Sequence, residues 1–257
     1  MIRAERIEKI KKLAKEQDII TWEYLQRYLN VSKATVQRDA EILCNASVLR
    51  KTRGGVIFIQ EPDVRELSTA AREITNKAAK QQIAAAALEY VQKDSFVMMD
   101  SGSTVLELVH LIPADVPLTA ITYSLATAIA LDSKPNIEIY FTGGKVRKEF
   151  RACHGYFAEN MLRQFHASTC FLGADVVSIS SGISEHNMYD VRLKQIMIEN
   201  SDQVILLADH SKFSSSAFIH VAPLDQVDVL ITDARLDKAS LLELDKRKIE
   251  VIQVSET

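Results

Sequence analysis

The sequence predicts an α/β protein in two parts: a small basic unit of helices closed by a hairpin, then a larger unit in which a mostly parallel sheet is covered by helices. Three observations predict it. Residues 1–60 hold 12 Lys/Arg against 7 Asp/Glu, whereas the remainder holds 19 against 27, so a basic module precedes an acidic body. Apolar residues in the front segment recur at helical spacing, and beyond residue 76 short apolar runs alternate with helical stretches. The 257 residues are 47% hydrophobic and 25% charged with 8 Gly and 5 Pro, which excludes wholesale disorder and permits a substantial core. No apolar run approaches the roughly 20 residues a bilayer demands, and the charged start Met1-Ile2-Arg3-Ala4-Glu5-Arg6 is unlike a signal peptide. The expectation is a cytosolic protein with no membrane partner.

Each front element has its own signal. Ile7, Ile10, Leu13 and Ala14 line one face of a first helix over 4–15. Thr21 caps a second helix to about Leu29, with Trp22, Leu25 and Leu29 on one side, and Asn30-Val31 breaks it. Ser32 caps a third helix over 33–45; Val36, Ala40 and Leu43 face inward, leaving Lys33, Ala34, Gln37, Arg38 and Glu41 outward. Val48-Leu49 and Val56 to Ile59 read as strands around Thr52-Arg53-Gly54-Gly55, a hairpin bearing Lys51 and Arg53. A polar-faced helix after a short turn, followed by a basic wing, is the arrangement that enters a major groove, where Arg and Gln bond base edges. The alternative is a merely solvated basic face, with Arg38 paired to Asp39 or another acid and Gln37 touching only phosphate.

Residues 61–76, with Pro62 and few large apolar groups, read as a linker, and 77–257 as the second domain. Its strands are expected at 96–99, 118–122, 137–141, 170–172, 204–208, 229–232 and 250–254, with helices at 104–111, 125–131, 155–165, 190–200 and 238–246. Five strand ends carry small polar residues: Asp100-Ser101-Gly102-Ser103-Thr104, Thr122-Tyr123-Ser124, Thr142-Gly143-Gly144-Lys145, Gly173-Ala174-Asp175 and Asp209-His210-Ser211-Lys212. Ligands of open α/β sheets bind at such ends, where helix N-termini and backbone amides meet an anion. Singly, each motif also reads as a cap or tight turn. The Ser-rich stretch Val177 to Asn187 reads as a mobile loop over the pocket. Cys44, Cys153 and Cys170 and the six scattered histidines show no metal-ligand spacing, so neither metal nor cofactor is expected.

The run Val31-Ser32-Lys33-Ala34-Thr35-Val36-Gln37-Arg38-Asp39, followed by Leu49-Arg50-Lys51-Thr52-Arg53-Gly54-Gly55-Val56, resembles the winged helix-turn-helix of DeoR-family bacterial transcription regulators. That family usually reads V-S-x-x-T-[IV]-R-R-D-L and ends in H-G-G-A. Gln37, Ala40, Ser47 and Arg53 depart from it. The DNA-binding set so implied is Ser32, Lys33, Thr35, Gln37, Arg38, Lys51 and Arg53.

Over nearly all of 77–235 the chain also resembles that family's sensor domain, through Asp100 to Thr104, Thr122, Ser124, Gly143, Gly144, Phe171 to Asp175, Lys194 and Asp209 to Phe213. Tyr123 replaces an asparagine and Asp190 a glutamate. The resemblance implies a fold related to ribose-5-phosphate isomerase and glucosamine-phosphate deaminase, and a phosphorylated sugar or sugar-derived effector. The expected effector residues are Asp100, Ser101, Gly102, Ser103, Thr104, Thr122, Ser124, Gly143, Gly144, Lys145, Asp175, Lys194, Asp209 and Lys212. Lys194 and Lys212 are the candidates for a phosphate or carboxylate, or else surface lysines. The implied protein is a regulator, a repressor of carbohydrate genes, binding double-stranded operator DNA as a homodimer or homotetramer. The alternatives are a sugar-phosphate isomerase or deaminase using Asp100, Asp175 and Asp209, and a degenerate sensor acting as an interaction module. Against the enzyme, Asp175 is followed by Val176-Val177 rather than by an acid and a lysine-and-glycine-rich loop.

Overall fold

A computed structural model describes residues 3–16, 19–45, 49–52, 54–58, 68–213, 217 and 219–255. The chain parts into two compact units between Leu67 and Ser68.

The first unit contains α1 (Arg3–Glu16), β1 (Ile19–Thr21), α2 (Trp22–Leu29), α3 (Lys33–Asn45), β2 (Leu49–Lys51) and β3 (Gly55–Phe58). Its core is built by Ile10, Leu13, Trp22, Leu25, Leu29, Val36, Ala40 and Leu43, the inward positions of three amphipathic helices. The Thr21 side chain accepts the Tyr24 N–H at 3.2 Å and starts α2; Asn30, at φ 52°, ends it. Ser32 Oγ accepts the Thr35 N–H at 3.3 Å and starts α3. The hairpin gains a third strand, in the order β1-β3-β2, all antiparallel. At its turn the Thr52 hydroxyl accepts the Gly55 N–H at 3.1 Å. Gly55 must be glycine, because a Cβ there would lie 2.0 Å from the Ile20 carbonyl oxygen. Asp39, buried on α3, takes Arg6 Nε at 2.6 Å and Arg3 Nε at 3.3 Å, tying α3 to α1.

The second unit begins with α4 (Thr69–Ile74), α5 (Lys77–Ala87), β4 (Ser95–Met99), α6 (Ser103–Leu111), β5 (Leu118–Thr122), α7 (Leu125–Asp132) and β6 (Ile137–Phe141). Then come β7 (Lys145–Arg147), β8 (Ala152–His154), α8 (Tyr156–Leu162), β9 (Ala167–Gly173), β10 (Val176–Ser178) and β11 (Gly182–Glu185). It closes with α9 (Met188–Glu199), β12 (Ser201–Leu207), β13 (Ile219–Ala222), β14 (Val229–Thr232), α10 (Lys238–Lys246) and β15 (Glu250–Gln253). The seven strands expected from the apolar runs form one parallel sheet, ordered β15-β14-β12-β9-β4-β5-β6. Alternation along the strands sends Val97, Met99, Phe171, Ile205 and Leu207 to the face covered by α5, α6 and α7. Met98, Cys170, Leu172, Val204 and Leu206 go to the face covered by α8 and α9. From β4 the chain runs through β5 and β6 to one side and through β9, β12, β14 and β15 to the other, so the winding reverses between β4 and β9.

Two sequence expectations change. Residues 68–76, read as linker, open the second unit: the Ser68 side chain accepts the Ala71 N–H at 3.4 Å and starts α4. Six residues of Thr-Ala-Ala-Arg-Glu-Ile are too few to show a helical stripe. The stretch 177–187, read as a mobile loop, holds parts of β10 and β11, which join β13 in a small antiparallel sheet with Glu185 buried. Val48, Ile59, Arg53 and the linker positions 61–67 lie outside the described residues.

Candidate functional site

The reversal point holds a cleft. It is lined by the loop after β4 (Asp100 to Thr104), the loop after β9 (Gly173 to Asp175), Glu185, Asp190, Lys194 and Lys212, with Arg72 and Tyr123. At its floor, Asp100 Oδ2 accepts hydrogen bonds from Lys194 Nζ at 2.7 Å and Gly173 N–H at 2.9 Å, while Tyr123 donates to Oδ1. Lys194 Nζ also donates to the Gly173 carbonyl at 2.7 Å and lies 3.0 Å from Glu185 Oε1. Gly173 leaves room for this knot, since a Cβ there would stand 3.2 Å from Asp100 Oδ2.

Charges in this buried knot are mutually determined. Burial opposes the Lys194 ammonium, yet Asp100, Glu185 and Asp190 outweigh it and drive its pKa up. Burial pushes the Glu185 carboxyl well above the usual carboxylate range, with Asp175 adding to the effect against Lys194. Asp175 is held low despite burial by its hydrogen bond with Glu185 and by Arg72, whose Nη1 lies 3.6 Å from Oδ1. Asp190 is also held low against burial, by His154, whose Nε2 is 2.6 Å from Oδ1. The cleft therefore offers carboxylate acceptors, an ammonium and a guanidinium, with the Glu185 carboxyl biased by burial toward its protonated form. Above them stand the Ser101, Ser103 and Thr104 hydroxyls and the start of α6, whose first-turn amides have no intrahelical acceptor.

Of the residues expected from sequence, Asp100, Ser101, Gly102, Ser103, Thr104, Asp175, Lys194 and Lys212 are brought together here. Thr122, Ser124, Gly143, Gly144, Lys145 and Asp209 are not in its lining. The Thr122 hydroxyl accepts the Ser124 N–H at 3.1 Å, and Ser124 Oγ accepts the Thr127 N–H at 3.2 Å, so this pair shapes a turn and caps α7. Gly143 and Gly144, at φ 66° and 111°, turn the chain into β7, where Lys145 is exposed. Buried Asp209 accepts Asn76 Nδ2–H at 2.9 Å and the Ser211 N–H at 3.0 Å, fastening the start of α5. Sequence reasoning missed Arg72, Glu185 and the cleft role of Tyr123 and Asp190. Glu185 ends an Ile183-Ser184-Glu185 alternation within a stretch read as loop, and that alternation was the available signal.

In the first unit, Lys33, Arg38 and Lys51 are exposed, Gln37 and Thr35 half-buried, and Ser32 exposed at the cap of α3. Asp39 is committed to Arg6 and Arg3, and among the described residues Arg38 makes no ion pair. Ser32 and Thr35 share a hydroxyl contact at 2.9 Å, a local capping role. Arg53 lies outside the described residues.

Among the described residues no helix is long and apolar enough to cross a membrane, and no group of His, Cys, Asp and Glu is placed to hold a metal ion. A helix-turn-helix unit followed by an α/β unit covered on both faces, with a cleft at its reversal point, has the two-part layout of a ligand-responsive transcription regulator. Residues 75–234 match the DeoR C terminal sensor domain and residues 6–62 the DeoR-like helix-turn-helix domain, so the chain belongs to the DeoR family of transcription regulators. It is 35% identical to the HTH-type transcriptional regulator YulB of Bacillus subtilis, covering 99% of this chain and 98% of that one. To the HTH-type transcriptional repressor GlcR of the same organism it is 34% identical over 98% of this chain and 96% of that one. Among solved structures it is similar to ribose 5-phosphate isomerase A from Methanocaldococcus jannaschii, at TM-score 0.41 and 16% identity over 54% of this chain and 55% of that one.

Proposed function

We propose that the chain is a repressor of carbohydrate genes whose operator binding responds to a phosphorylated sugar or related metabolite held in the β4–β9 cleft. One observation carries the reading: the anion-accepting start of α6, with Ser101, Ser103 and Thr104, opens on the same cleft as Arg72, Lys212 and a set of buried carboxylates. The first group suits a phosphate, and the carboxylates suit sugar hydroxyls, which donate to them. In the first unit, α3 presents Lys33, Gln37 and Arg38 for the major groove, with Lys51 in the wing. Binding as a homodimer or homotetramer follows from the small reach of a single reading head. The cytosol is the compartment in which both partners occur.

The test is a thermal-shift panel of phosphorylated hexoses, pentoses and glycerol derivatives beside their unphosphorylated parents. Gel shifts follow, on a duplex selected from random sequence by the purified protein. A phosphorylated compound that raises the melting temperature and weakens the gel shift supports the reading. A panel without any stabilising compound overturns it, and a compound that strengthens the gel shift overturns the repressor-with-inducer form.

A further inference from the structure

The paired glycines Gly143 and Gly144 lie outside the cleft lining, and what they position is a histidine. Gly144, at φ 111°, turns the chain so that β8 folds back on β7 with His154 opposite Lys145, and a Cβ at Gly144 would stand 3.0 Å from the His154 carbonyl oxygen. Strand β8 is laced to the loop after β5: the Cys153 N–H donates to the Tyr123 carbonyl at 2.8 Å and the Leu125 N–H to the Arg151 carbonyl at 2.7 Å. His154, 4% exposed, is thereby set between the rings of Tyr123 and Tyr189, with an edge contact to each at 5.9 and 5.8 Å.

Its imidazole serves Asp190. Nε2 lies 2.6 Å from Asp190 Oδ1, while Nδ1 is buried with no hydrogen-bond partner among the described residues. An ionised carboxylate only accepts, so Nε2 carries the proton and donates. Asn187 Nδ2 donates to the other oxygen, Oδ2, at 3.1 Å. Each oxygen of Asp190 is thus held by one donor and keeps a lone pair for a second, and Asp190 lines the cleft.

This arrangement runs against the local tendency of the helix. Asp190 and Lys194 are one turn apart on α9, the spacing at which an acid and a base pair across a helix face. Yet Lys194 pairs with Asp100 at 2.7 Å and Glu185 at 3.0 Å, while Asp190 is drawn to His154. Without the imidazole, the Asp190 carboxylate would turn toward the Lys194 ammonium, and its acceptors would be spent inside the protein.

We infer that His154 is a positioning residue for ligand selection: it holds Asp190 so that the two carboxylate oxygens accept two adjacent hydroxyls, a vicinal diol, on the phosphorylated ligand. The inference rests on the sensor reading above and narrows it, from any phosphorylated metabolite to one bearing neighbouring hydroxyls.

Titration calorimetry on the full-length protein tests it with three parent compounds and their deoxy analogues. Ribose 5-phosphate is set against 2-deoxyribose 5-phosphate, glycerol 3-phosphate against 3-hydroxypropyl phosphate, and glucose 6-phosphate against its 2-deoxy and 3-deoxy forms. For a parent that binds the wild type, removing a hydroxyl of the diol is expected to weaken affinity about tenfold, because an ionised acceptor is left unpaired. His154→Leu is expected to weaken the parent by the same factor and to leave the deoxy analogue unchanged, a split that a general loss of structure does not produce. His154→Gln, whose amide can still donate, should keep part of the selectivity, and serves if the leucine variant fails to fold. Parent and analogue bound alike by the wild type would overturn the inference and leave the sensor reading standing. Undiminished selectivity in the variants, or parent and analogue weakened equally, would also overturn it. If none of the three parents binds, the inference falls, and the sensor reading falls with it when the wider panel also stabilises nothing.

Discussion

The ammonium of Lys194 answers to two buried acids at once, and this decides how the cleft tolerates substitution. Lys194→Met strips Asp100 and Glu185 of their shared partner without relieving their burial, so a loss of about 3–5 kcal/mol is expected in urea denaturation. Glu185→Gln should behave differently. Burial already favours the protonated acid, which an amide imitates, so the change at pH 7 is expected to stay below about 1.5 kcal/mol. A loss as large as that of Lys194→Met would show that Glu185 carries a charge. Asp190 supplies the pH dependence: its folded pKa is depressed, so its contribution is present above the ordinary value near 4 and fades as pH falls through and below that value. The gap in melting temperature between wild type and Asp190→Asn should therefore stay constant above about pH 5 and narrow as pH falls below about 4, and a gap that does not narrow there would count against the His154 pairing. Asp100, Asp175 and Lys194 were legible because they sit at strand ends or on an expected helix. Arg72 and Glu185 reach the cleft from segments that sequence made linker and loop, and only tertiary packing turns them inward.

Among elements, α3 shows how two neighbouring positions of one motif separate by helical geometry. Asp39 turns into the unit and joins Arg6 and Arg3, while Arg38, one residue earlier and about 100° around the helix, stays outside. Arg38→Ala should leave the melting temperature nearly unchanged and weaken operator binding by roughly 5- to 150-fold, the span of one bidentate base contact, in gel shifts. Undiminished affinity would take α3 out of the groove. Gly55→Val should act through structure instead, since the added carbons collide with the Ile20 carbonyl and separate β1 from β3, lowering the melting temperature of the first unit. The caps Thr21 and Ser32 and the seven central strands stood out because capping and apolar runs are local signals. Strands β1, β10, β11 and β13, three or four residues each, are set by partners distant in sequence and leave almost no period to read.

For the whole molecule, the charge asymmetry and the two compact units define a reading head and a body, and regulation requires that the two exchange free energy. A ligand releases DNA only if it binds the DNA-free arrangement more tightly than the DNA-bound one, and thermodynamic linkage makes the exchange symmetrical. Whatever factor the ligand removes from operator affinity, the operator removes from ligand affinity. For a coupling of 1–3 kcal/mol that factor is about 5 to 150. Titration calorimetry of the stabilising sugar phosphate should therefore give a dissociation constant raised by this factor when saturating operator duplex is present, and a duplex of scrambled sequence should not raise it. Equal constants with and without operator would mean that the cleft and α3 belong to uncoupled units, whatever either binds alone. A constant lowered by operator would reverse the sign and make the metabolite a corepressor, the opposite of the induction proposed.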